Sequence, residues 1–182
     1  MMATGPIGVR QGLASRLLSR LGHSLPSPWT VLIGSILLGT LSAACALTGL
    51  YLRNGGLIFS RDAIVLLYFY GAAVGFGPGV TLATFLVGDA RPPLRMVVGT
   101  VILFLSIHTA TATLFALQYR MFYAHWHADF PSIVWGFQFA FTTVGALYQF
   151  TVDSLYLYYP LAPLLFGGLG LWFTFRKPAT LP

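Results

Sequence analysis

Along most of this chain the apolar positions do not alternate with polar ones; they run on without a break. Uncharged, largely apolar stretches cover residues 29–52, 63–88, 96–119, 130–152 and 154–175, and the nine charges between positions 29 and 175 all fall in the gaps. A helix rises about 1.5 Å per residue, so crossing a hydrocarbon core takes about 20 apolar residues. The first three stretches exceed that length, and none carries the charged face that a water-exposed helix keeps. The pattern predicts an all-α fold: a polytopic transmembrane helical bundle of four to five spans. These are expected at about 29–52, 63–87, 96–119, 132–151 and 155–175. A β-barrel would alternate in and out along each strand, and these runs do not.

Breaks in the pattern set the boundaries. The connector 88–93 (Gly-Asp-Ala-Arg-Pro-Pro) is short and stiff, so the second and third spans should be antiparallel neighbours. Glycines 55 and 56 suit a left-handed cap after the first span. Ser60 is placed to cap the second, with Asp62 in its first turn. Asp153, between Thr151 and Ser154, marks the expected last turn. Beyond it Pro160, Pro163, Gly167, Gly168 and Gly170 interrupt the final segment, which makes it the candidate half-span. Orientation depends on that segment. Five crossings divide the ten basic residues five to five, whereas four put both termini on one side and divide them seven to three. The N-terminus is expected on the cytoplasmic or matrix side.

Residues 1–28 form a different kind of segment. At 100° per residue Leu13, Ala14, Leu17, Leu18 and Leu21 share one arc, with Gln11, Ser15, Arg16, Ser19 and Arg20 on the other. This predicts an amphipathic helix lying in the membrane interface, with Arg10, Arg16 and Arg20 toward lipid head groups. The same Arg- and Ser-rich, acid-free composition fits a mitochondrial targeting segment. The arm is therefore read as a retained surface helix, alone or with targeting information. Leu-Pro-Ser-Pro at 25–28 then turns the chain into the bilayer. The domain reading is an arm (1–28), a single transmembrane domain (29–175) and a short basic tail (176–182).

Composition agrees with the pattern. With 57% hydrophobic and 8% charged residues, the chain has too little polar surface for a water-exposed globule. Its net charge of +6 is scattered at membrane boundaries, which fits anionic lipid as partner rather than nucleic acid. The lone cysteine, Cys45, lies in the first run and reads as a small apolar filler.

Two stripes of small residues point to close helix packing. Gly71, Gly75 and Gly79 recur every four residues on the second span, and Ser35, Gly39 and Ala43 do so on the first. Such stripes let helix backbones approach, so these two spans are expected to pack through them or to receive a partner subunit. Pro78 should kink the second span.

Candidate chemistry is sparse. His108 is the only histidine inside a span and is expected to be neutral, bonded to a backbone group or to a hydroxyl of the stretch 106–113. As a haem or quinone contact it would need a second ligand from another subunit. His125, His127 and Asp129 alternate beside Trp126, so in an extended segment they could converge on a metal; a solvated loop is the favoured reading, with no metal and no cofactor. No nucleophile–base set, phosphate loop or in-span carboxylate is legible, which argues against a self-contained enzyme. Half of the 28 aromatic residues lie between positions 119 and 160, more than two interfacial belts need.

The expected function is a non-catalytic integral membrane subunit that scaffolds or stabilises a larger inner-membrane complex, of respiratory-chain or ATP-synthase type. Its partners would be membrane lipids and other integral membrane subunits. The mitochondrial inner membrane is favoured, with the bacterial inner membrane as the alternative. A small oligomeric channel or transporter for a neutral solute or lipid is the second reading. A haem- or quinone-binding anchor that shares its ligand with a partner is the third.

Overall fold

A computed structural model of the chain describes residues 13–54, 60–159 and 161–176. Arg10, Gly55, Gly56, Pro160 and the tail from 177 lie outside the described residues. The elements are α1 (Leu13–Ser24), α2 (Pro28–Asn54), α3 (Arg61–Val87), α4 (Pro92–Tyr123), a 3-10 turn (Ala124–Trp126), α5 (Ile133–Tyr158) and α6 (Ala162–Phe175). The protein is an all-helical membrane bundle: α2, α3 and α4 are each long and apolar enough to cross, and α5 with α6 makes a bent pair.

Helix starts follow local chemistry. Ser27 accepts the Thr30 N–H at 3.2 Å, with Pro28 at the first helical position, where no donor is needed. Ser132 caps α5 in the same way through the Trp135 N–H at 3.1 Å. Ser60 departs from its expected role: its side chain makes no capping bond to α3. Asp62 instead takes a 2.9 Å hydrogen bond from Arg61 Nε. Pro78 lies inside α3, which continues through it as one helix to Val87.

The α3–α4 hairpin is the most closely packed part of the bundle, with α2 on the other side of α3. The helix stripes pair differently from expectation. Gly71, Gly75 and Gly79 face α4, not α2: a Cβ at Gly75 would lie 2.7 Å from Ile107 Cα, and one at Gly71 would lie 2.6 Å from Thr111 Cα. The α2 stripe does meet α3, but through another face. Ser35 donates to the Ala73 carbonyl at 2.7 Å, and a Cβ at Gly39 would lie 2.9 Å from the Phe69 carbonyl. Ala43 is half-buried. α3 has both faces occupied because glycine opens one to α4, while Phe69 and Phe76 fill the glycine gaps of α2 on the other.

The greatest difference concerns the C-terminal third. Asp153 is not in a turn; it is exposed within α5, which runs on to Tyr158. The break falls instead beside the prolines at 160 and 163, and the axes of α5 and α6 differ by 89°. Both ends of α5 lie at the same end of the bundle. Near its start Phe139 meets Arg120 at the end of α4, and near its finish Tyr156 meets Arg53 at the end of α2. α6 then returns toward the first end, where a Cβ on Gly99 near the start of α4 would collide with the Phe173 ring. With 14 residues, α6 is about 21 Å long and too short for a full crossing. The chain thus makes three full passages and one broken return. α1 and the C-terminal end of α6 lie at the same end of the bundle.

Candidate functional site

Four helices converge around His108. The imidazole stacks on Phe104 with centroids 5.6 Å apart and lies 5.1 Å from the Phe150 ring of α5. Phe150 also touches Tyr68 of α3 and Phe115 of α4, and Phe104 meets Phe166 of α6 edge-on at 5.0 Å. The expected hydrogen bond is not made: Nδ1 of His108 is buried without a partner. The nearby hydroxyls bond elsewhere, Ser106 to the Gly75 carbonyl and Thr111 to that of Ile107, each at 2.8 Å. Of the chain's other histidines, His23 lies on α1 and His125 and His127 at the opposite end of the bundle. A ligand opposite His108 would have to come from outside the chain.

A second polar group was not legible in the sequence. Ser42 Oγ of α2 and Tyr158 Oη of α5 are buried near one another and near Thr111 of α4, short of hydrogen-bond geometry. These residues are more than 40 positions apart in every pairing, so no local pattern signals their meeting.

His125, His127 and Asp129 do not form the alternating strand that would aim them at one point. Ala124–Trp126 is a 3-10 turn, in which alternate residues diverge. His125 accepts from the indole N–H of Trp126, Asp129 is exposed, and no group of three metal-ligating side chains assembles among the described residues. The loop is tied to α5 by the Ala128 N–H donating to Gln138 Oε1 at 2.8 Å.

The end of the bundle that holds α1 is cationic. Arg20 stacks over Phe85 of α3 at 5.4 Å, while the apolar arc of Leu17, Leu18 and Leu21 is exposed, as an interfacial helix presents it to lipid. Arg16 lies on the same helix. Arg95 donates from Nη2 to the carbonyls of Phe173 (3.0 Å) and Arg176 (2.8 Å), closing the C-terminal end of α6. Arg176 in turn lies over the Trp172 ring at 5.6 Å. Arg95 Nε and Arg176 Nη1 are buried donors without acceptors. Burial and the neighbouring Arg95 together lower the Arg176 pKa from its ordinary value. Among the described residues the one ion pair, Arg61–Asp62, is at the other end.

Beside this end an apolar groove of about 690 Å³ opens between α2 and α6. Trp29 and Trp172 line it nearest the arginines, Cys45 and Leu161 line it deepest, and Phe76 of α3 also lines it. Arg95 and Arg176 are 81 positions apart, and only the return of α6 joins them.

No protein-family model, no curated protein and no solved structure matches this chain.

Proposed function

We propose that this chain is a non-catalytic integral membrane subunit that contributes helix-packing and lipid-contact surface to a larger inner-membrane complex, of respiratory-chain or ATP-synthase type. The observation that carries this reading is a stripe on α5. Val134, Phe137, Phe141, Val144 and Tyr148 are all exposed, and their spacing of three, four, three and four is that of a helix seam. Gly145 lies on the same side of the helix, and a Cβ there would meet nothing within 4 Å, so the stripe offers a gap as well as knobs. A second helix can interlock with that spacing.

The interior supports the same reading. Apart from the half-buried His108 and arginines, the buried polar side chains among the described residues are Ser24, Ser42, Thr111 and Thr174 with the phenols of Tyr68 and Tyr158, all hydroxyls. Charge asymmetry supports an orientation. Among the described residues the α1 end carries Arg16, Arg20, Arg91, Arg95 and Arg176 with Asp89, and the other end carries Arg53, Arg61 and Arg120 with Asp62, Asp129 and Asp153. The positive-inside rule places the α1 end in the matrix or cytoplasm. The arm's Arg- and Ser-rich, acid-free composition is the reason for preferring mitochondria over a bacterial inner membrane.

Native electrophoresis of membranes opened in mild detergent tests the assembly. The expected result is a particle far larger than 19.8 kDa containing unlike chains. Migration as a lone homo-oligomer would sink the reading.

A further inference from the structure

The groove between α2 and α6 ends at Trp172, over whose ring Arg176 lies at 5.6 Å. From Trp29 to Cys45 the groove follows α2 for about 24 Å, which is longer than one leaflet of a hydrocarbon core of about 30 Å. Its walls are apolar and its long side is open, so side chains such as Leu37, Leu41 and Leu164 remain exposed. At the mouth Arg176 covers the groove-lining Trp172 and stands beside Arg95. Among the described residues each guanidinium keeps a buried N–H donor without an acceptor, and neither has a carboxylate within ion-pair distance. Two adjacent cations next to a membrane-embedded apolar trough match a molecule with an anionic head and hydrocarbon chains. The small cavity between the two arginines, lined also by His23 and Ser24, holds about 10 Å³, room for one water. The head group therefore sits at the opening, over Arg176.

We propose that this groove is a binding site for one anionic phospholipid, with its acyl chains along α2 and α6 and its phosphate at Arg176, supported by Arg95. Charge complementarity decides the occupant: an apolar helix from a partner or a second copy of this chain would fill the trough and leave the arginines unanswered.

Native mass spectrometry of the full chain, purified in mild detergent and offered phosphatidylglycerol or phosphatidylcholine, tests the site. The wild-type chain should retain one phosphatidylglycerol in clear preference to phosphatidylcholine. Gly168→Leu projects a side chain into the groove where a Cβ meets nothing within 4 Å, so the fold is kept while the trough is filled. Retention of phosphatidylglycerol should fall by about tenfold, a change that one lost anchoring contact can produce. Arg176→Gln should remove the preference between the two lipids while leaving chain binding, and Arg176→Lys should restore part of it. Inorganic phosphate at millimolar concentration should not displace the lipid. Equal retention of the two lipids by the wild-type chain overturns the proposal, as does retention untouched by Gly168→Leu. Full displacement by inorganic phosphate, or a protein helix crosslinked into the groove of the native assembly, overturns it equally. Circular dichroism of each variant separates loss of the site from loss of the fold.

Discussion

Ser106 of α4 donates a hydrogen bond to the carbonyl of Gly75 on α3, 2.8 Å away. The bond exists because Gly75 has no side chain: a Cβ there would lie 2.7 Å from Ile107 Cα, so the two backbones run almost in contact. Ser35 of α2 does the same from the opposite side, bonding the Ala73 carbonyl. The turn of α3 that precedes Pro78 is thus held by hydroxyls from both neighbours. The carbonyl that Pro78 leaves without its helical donor, one turn back, is that of Val74, which lies between those of Ala73 and Gly75.

The two partners of that contact should differ in their effect. Gly75→Ala forces the backbones apart and is expected to cost about 1–3 kcal/mol. Ser106→Ala removes only the hydrogen bond, about 0.6 kcal/mol. Unfolding in mixed micelles by titration with a denaturing detergent gives both values, and a larger loss for Ser106→Ala than for Gly75→Ala would contradict the packing described.

Phe150 and Phe141, nine positions apart on α5, should separate fold from assembly. Phe150 is 4% exposed and packs on Tyr68, His108 and Phe115; Phe141 is 74% exposed. Phe150→Ala is expected to destabilise the isolated chain by about 2–3 kcal/mol. That is less than in a water-soluble core, because lipid is as apolar as the interior it replaces. Phe141→Ala should leave the isolated chain within about 0.5 kcal/mol of the original, as exposed positions do, yet reduce the large particle on native gels. An unchanged particle would remove the α5 seam from the proposed assembly surface.

His108 sits among aromatic rings with a buried nitrogen unpaired. His108→Phe keeps the ring and removes the polar atom, so the isolated chain should gain about 1 kcal/mol of stability. If the variant instead strips a Soret band from the native particle, the histidine is a haem ligand completed by a partner. A stability loss of several kcal/mol without any such band would show that its nitrogen is bonded after all.

The course of α6 has a topological consequence that cysteine labelling can read. In a Cys45→Ala background, His23→Cys and Phe175→Cys should react with an impermeant maleimide from the same side, and Asp129→Cys from the other. Reaction of His23→Cys and Phe175→Cys from opposite sides would mean that α5 crosses the bilayer by itself.

Several features of the candidate sites were within reach of the sequence. The 134–137–141–144–148 stripe is readable from spacing alone, although the more conspicuous Phe137, Phe139 and Phe141 draw the eye to a set that points in different directions. The Arg95–Arg176 pair is another matter. Those residues are 81 positions apart, and each looks like an ordinary arginine at a span end. The failure at His125–Asp129 has a local cause: the alternation argument assumes extended backbone, and the segment opens with a 3-10 turn over Ala124–Trp126 that includes His125.

The amino-acid sequence by itself determined that this protein is helical, lies in a membrane and begins with an amphipathic arm. Those properties follow from transfer of each residue and each backbone group into hydrocarbon, which is a local quantity. Only the tertiary structure decided that the glycines of α3 face α4, that α5 stays at one end of the bundle, and that α6 carries Arg176 back to Arg95. Among helices that are apolar all round, hydrophobicity does not distinguish one face from another. What chooses the partner is close fit between surfaces, and that exists only once the helices have met.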